Sequence, residues 1–129
     1  MKDIDQYFKA IEPDEVIHII CHWHGINPEF IFNGRKAPLV KARQQMAFFM
    51  RQYCRGADYR FSLSQYRKLR LSDIGVFLQQ DHSTVTHALK SVESNMSLYR
   101  PYREEMEAID DLIRKFRFTR KKWDFYGHS

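Results

Sequence analysis

The side chains best equipped for chemistry lie in one run, Asp81-His82-Ser83-Thr84-Val85-Thr86-His87-Ala88-Leu89-Lys90. A carboxylate, an imidazole and a hydroxyl in succession invite a hydrolase reading. Three consecutive side chains diverge on a helix, however, and cannot form a triad. Read at helical spacing the run divides cleanly. Val85, Ala88, Leu89, Val92 and Met96 make one apolar face. Ser83, His87, Lys90 and Ser94 fall opposite, Thr84 and Thr86 flank them, and no carboxylate follows Asp81 until Glu93. Hydroxyls and imidazoles can bond base edges, a threonine methyl can touch thymine, and the first N–H groups of a helix face phosphate. The chemistry on offer is base recognition.

A second cluster is less productive. His18 and His22 stand at i, i+4, with Cys21, His24 and Cys54 as further potential ligands. No HExxH or closed Cys/His spacing exists, and the same segment has an apolar face to bury, so ordinary histidines and no metal are expected. The five glycines form neither GxxxxGK[ST] nor GxGxxG, so no nucleotide cofactor and no enzymatic role are expected.

Helical periodicity dominates the elements that must position these residues. After Pro13-Asp14-Glu15, the residues Val16, Ile19, Ile20 and Trp23 share a face of a helix ending near Gly25. Asn27-Pro28 reads as an N-cap and first-position proline of a short helix with Phe30, Ile31 and Phe32, closed by Asn33-Gly34. A longer helix from Pro38 carries the stripe Leu39, Ala42, Met46, Phe49, Met50 and Tyr53 and ends at Gly56. Residues 57–70 read as a loop with one helical turn from Ser64. Ser72 then caps a short helix with Ile74, Phe77 and Leu78, and Gln79-Gln80 forms a polar turn. Asp81 or Ser83 caps the next helix, and Pro101 opens a last one with Met106, Ile109, Leu112, Ile113 and Phe116. The class is all-α: about six helices, with a helix-turn-helix at 72–98. The 129 residues form one domain with a core of about 14–115 and a basic, aromatic tail over 119–129.

Charge is segregated along this framework. The net +5 divides into −4 over residues 1–33, +9 over 34–70, −2 over 71–99 and +2 over 100–129. A basic block beside a nearly neutral recognition helix is the footprint of a nucleic-acid binder, although such a block also serves as a plain solvated face.

Leu71-Ser72-Asp73-Ile74-Gly75, followed by Asp81-His82-Ser83-Thr84-Val85 and His87-Ala88, resembles the C-terminal DNA-binding domain of the bacterial replication initiator DnaA. Arg35-Lys36 resembles part of that family's basic loop, and Ala42-Arg43-Gln44 its following helix start. The resemblance spans about residues 14–115. It implies that Asp81, His82, Ser83, Thr84 and His87 read the major groove, with Thr86 beside them. Arg35, with Lys36, reaches the minor groove, and Lys41, Arg43, Gln44 and Lys90 contact phosphates. Ser72, at the start of the first helix, completes the candidate DNA contacts. Departures are clear: Leu78-Gln79-Gln80 stands where the family has Gly-Gly-Arg, and Gly34 and Ala37 thin the basic loop. About ten extra residues lie between Tyr53 and Leu71, among them Arg55, Arg60, Arg67 and Arg70. With no phosphate loop and no room for an ATPase, the expected molecule is a free-standing relative of the binding module.

Two other readings remain open. The acidic first helices and the tail aromatics Phe116, Phe118, Trp123, Phe125 and Tyr126 would suit a protein-interaction module. Interleaved with Arg114, Lys115, Arg117, Arg120, Lys121 and Lys122, the same rings would suit stacking on single strands. The longest apolar run, Met46–Met50, is far short of a bilayer span, the N-terminus has no apolar leader, and Cys21 and Cys54 imply no disulfide framework. The expectation is a cytoplasmic, nucleoid-associated monomer whose partner is double-stranded DNA, with a replication or regulatory protein as a second partner and no membrane.

Overall fold

In the computed structural model, residues 11–54 and 69–118 are described, with backbone alone at 117 and 118. They form five α-helices and one 3-10 turn, and no strand occurs among them. The fold is all-α. The helices are α1 (Pro13–His24), α2 (Ala37–Tyr53), α3 (Leu71–Leu78), α4 (His82–Leu98) and α5 (Arg100–Phe118), with the 3-10 turn at Pro28–Phe30. The readings of a turn from Ser64 and of the tail 119–129 lie outside the described residues.

Local chemistry sets most of the boundaries. Pro13 occupies the first turn of α1, and the Glu15 carboxylate accepts from the backbone N–H of Glu12 at 2.9 Å. Gly25 ends the helix with φ 68°, while the N–H of Ile26 reaches back to the Cys21 carbonyl at 2.9 Å. The Asn27 side chain accepts from the Glu29 N–H at 2.9 Å and starts the 3-10 turn. α2 stops at Tyr53, before the expected Gly56, because Cys54 turns extended (φ −85°, ψ 154°) and is buried. α5 begins immediately after an extended Tyr99, with Pro101 in its first turn, where a missing N–H costs nothing.

α4 is central: it packs on α2, α3 and α5, while α1 closes the far side against α2 and α5. The core between them is built from Ile19, Ile20, Met46, Phe49, Met50, Ile74, Leu78, Val85, Val92, Met106, Ile109 and Ile113, all buried. Three aromatics of the expected helices stay outside it. Trp23 is 40% exposed, because its indole N–H donates to Glu105 at 3.2 Å at the rim. Phe30 is 55% exposed: the three-residue 3-10 turn sends Ile31 into the core and sets Phe32 against it, and leaves Phe30 outside. Phe77 lies outside the Ile74–Leu78 stripe of the short α3 and is 40% exposed. Conversely, Phe116 is buried in the core and is unavailable to any tail surface. Among the described residues, no helix is long and apolar enough to cross a membrane.

One polar network ties the bundle together. Gln45 is fully buried, beside the apolar stripe of α2. Its amide oxygen meets the His24 ring nitrogen Nε2 at 2.6 Å, and its NH2 donates to Glu105 Oε1 at 3.0 Å. The Lys41 ammonium sits 2.9 Å from the same carboxylate oxygen and 5.6 Å from the centre of the Tyr102 ring. Burial opposes the charge on Glu105, but hydrogen bonds from Lys41, Trp23 and Gln45 outweigh it and hold the carboxyl below its ordinary pKa.

Candidate nucleic-acid interface

The corner between α3 and α4 is built on a glycine and a strained glutamine. Gln79 closes α3 in the left-handed region (φ 57°, ψ 44°), and the N–H groups of Gln79 and Gln80 return to the carbonyls of Val76 (3.3 Å) and Gly75 (2.8 Å). Gly75 is buried against the backbone carbonyl of Gln80, and a Cβ there would overlap that oxygen. This close approach sets how α4 leaves the corner.

Asp81 is the N-cap of α4. Its carboxylate accepts from the Thr84 N–H at 2.7 Å. Hydrogen bonds from the Thr84 side chain and backbone hold the Asp81 carboxyl below its ordinary pKa. With Val85, Ala88 and Val92 pulled into the core, His82, Ser83, Thr84, His87 and Lys90 stand exposed on the outer side. The side chains of His82, Ser83, His87 and Lys90 make no hydrogen bond or ion pair with another described residue. Thr86 is half-buried, and its hydroxyl donates to the His82 carbonyl at 3.0 Å, which occupies its proton within the helix. Ser72 is not a cap. Helix α3 starts one residue earlier at Leu71, and the Asp73 carboxylate accepts from the Arg70 N–H at 3.3 Å, leaving Ser72 exposed in the first turn.

The basic residues of the preceding block fall into two groups. Arg35 and Lys36 project from an exposed loop between the 3-10 turn and α2, with Gly34 at φ 82°. Neither side chain makes a hydrogen bond or ion pair with another described residue. Lys41, Arg43 and Arg51 are engaged. Arg43 is half-buried and donates to the carbonyls of Ile31 (2.8 Å) and Gly34 (3.1 Å). Lys41 is held by Glu105. Gln44 borders an open groove with Asn95, Tyr99 and Tyr102. Arg51, which the sequence reading left without a role, donates to the Leu69 carbonyl and anchors the chain leading into α3.

Sequence reasoning also missed Gln45 and Glu105. Spacing sets Gln45 outside the predicted α2 stripe, so its burial had no local signal; Glu105 joins α2 to α5 across sixty residues and has none either. At the other cluster, His18 meets the Asp14 carbonyl through Nδ1 at 2.8 Å, and burial pushes the Cys21 thiol up to about 11. Among the described residues no three His, Cys, Asp or Glu side chains converge as metal ligands.

No known family's sequence profile matches the chain. Two curated proteins align with it over 109 residues at 28% identity: the chromosomal replication initiator proteins DnaA of Bacteroides thetaiotaomicron and of Bacteroides fragilis. Each alignment covers 83% of this chain but 20% of the relative, so the chain spans about a fifth of the proteins it resembles. The chain is therefore similar over 109 residues to part of DnaA, and its described residues fold as α-helices.

Proposed function

We propose that this chain is a non-catalytic, sequence-specific binder of double-stranded DNA, acting in or around replication initiation. In this reading α3 and α4 form a helix-turn-helix within one domain, and the N-terminal half of α4 lies in the major groove. His82, Ser83, Thr84 and His87 read base edges there, and Lys90 meets a phosphate. Asp81 serves by capping the helix that carries them. Arg35 and Lys36 enter the adjacent minor groove.

The observation that carries the reading is the outer face of α4: the Ser83 hydroxyl, the His82 and His87 imidazoles and the Lys90 ammonium have no partner among the described residues, on a helix whose opposite side packs into the core. The two DnaA relatives supply independent support for DNA as the partner. The test is selection from a random duplex library at physiological salt. Enrichment of one motif, relaxed at one or two base pairs by His82→Ala, is the expected result. Duplex binding without enrichment leaves only an electrostatic binder, and no duplex binding at moderate salt overturns the proposal.

A further inference from the structure

We infer that Arg43 is a positioning residue for minor-groove reading: it holds the loop that presents Arg35, instead of contacting a phosphate itself. This rests on the DNA-binding reading above.

Backbone contacts tie the loop from Asn33 to Lys36 down only near its two ends, and the Asn33 N–H donates to the Phe30 carbonyl at 3.1 Å. Ile31 is buried and anchors one end, and the Lys36 carbonyl accepts from the N–H groups of Leu39 and Val40, both at 3.0 Å, at the other. Between these anchors Gly34 adopts φ 82° with open space where a side chain would stand. The Arg43 guanidinium spans the gap from a rigid position on α2, one nitrogen on the carbonyl of Ile31 and the second on that of Gly34. A planar fork with two fixed donors fits two carbonyls three residues apart, which a single ammonium cannot do. Donors spent on loop carbonyls in a half-buried position point away from a phosphate role. Held this way, the loop starts in a defined shape, and binding does not have to order it.

The experiment separates charge from clamping. The site enriched by selection is prepared with a G·C pair, or an inosine·C pair, at the step under the loop. Inosine lacks the amino group that guanine projects into the minor groove, and with it one Watson–Crick hydrogen bond, so the ratio shown by Arg35→Ala sets the baseline for duplex shape and the excess over it reports the loop. Wild-type protein is expected to exceed that baseline by about tenfold in favour of inosine·C. Arg43→Lys keeps the charge. It is expected to reduce the excess to about twofold with the salt dependence unchanged, and to add nothing in the Arg35→Ala background. Gly34→Ala, which leaves residue 43 unchanged but strains the loop at the carbonyl that Arg43 holds, should reproduce the loss, so the outcome does not hang on one variant; circular dichroism establishes that each is folded.

A ratio that survives Arg43→Lys and Gly34→Ala overturns the clamp, as does a loss of ratio that is additive with Arg35→Ala. If the wild-type ratio does not exceed that of Arg35→Ala on a site that was nevertheless enriched, the loop is not in the minor groove and the inference falls alone. If no site is enriched, the DNA-binding reading itself has failed.

Discussion

The backbone carbonyl of Gln80 closes over Gly75 so tightly that the residue at 75 has no room for a Cβ. An alanine in the middle of a helix ordinarily stabilises it by about 0.5–1 kcal/mol over glycine. Here the sign reverses. Gly75→Ala must push the Gln79-Gln80 corner outward, and overpacking of this kind costs about 1–3 kcal/mol. Urea denaturation should show that loss, and duplex affinity should fall with it, because the same corner aims α4. A Gly75→Ala protein as stable as wild type would mean that the corner yields cheaply.

Gln79 is the complementary case. It is the non-glycine residue with positive φ among those described, and a left-handed L-residue carries a cost of about 1–2 kcal/mol. Gln79→Gly relieves it and gives back part of the gain by loosening the unfolded chain. A net stabilisation of about 0.5–1 kcal/mol is expected from the urea midpoint. Gln79 is exposed, so an unchanged midpoint would show that its side chain contributes something that offsets the strain.

The two corner residues also mark how far sequence reasoning reached. Signals acting over a few residues were legible: Pro13, Asn27-Pro28, Gly25 and Asp81 end or begin elements where expected, because capping is a local exchange of hydrogen bonds. The apolar stripe of α4 was equally plain. Partnerships across the chain were not. Whether Trp23 goes inward depends on Glu105, 82 residues away, and whether Arg43 is free depends on the path of the loop beside it. Spacing alone assigns Lys41, Arg43 and Arg51 to the same basic block as Arg35 and Lys36; only the fold separates cations already engaged from those left exposed.

Asp81 should make the stability of α4 sensitive to acid. Its carboxyl is held below the ordinary value of 3.8 by the hydrogen bonds from Thr84, so the folded state favours the ionised form. That contribution is complete above the ordinary value and is lost as pH falls through the lowered one. Asp81→Asn keeps an acceptor oxygen for the Thr84 N–H and should remove the share of the acid dependence that Asp81 adds to that of Glu105, while preserving the helix start. Asp81→Ala should lower the melting temperature at neutral pH. Melting curves of the three proteins between pH 2 and 7 check this, and parallel curves for wild type and Asp81→Asn would contradict it.

Gln45 presents the opposite problem to a surface cap. Replacing it by leucine keeps the volume but strips a partner from both His24 and Glu105. Leaving buried polar groups unpaired costs about 1–3 kcal/mol each, so Gln45→Leu should destabilise by about 2 kcal/mol even though it makes the core more apolar. Gln45→Leu combined with Glu105→Gln should cost less than the two changes added together, because both remove members of one network. Additive losses in denaturant unfolding would show that Lys41 and Trp23 satisfy Glu105 without help.

Lys90 and His82 occupy the same face of α4 but should fail in different ways. Lys90 offers a point charge with no partner among the described residues, and a phosphate is indifferent to sequence. Lys90→Ala should therefore weaken preferred and random duplexes by a similar factor and lower the slope of log affinity against log salt by about 1. His82, in the first turn, reads a base edge if the groove assignment holds. His82→Ala should leave the salt slope nearly unchanged and relax preference at one or two base pairs by about 1–3 kcal/mol each. Binding isotherms on the selected duplex, its single-pair variants and a random duplex, each at several salt concentrations, distinguish the two. An equal effect of His82→Ala on preferred and random DNA would move it from the bases to the backbone, and with it the depth at which α4 sits in the groove.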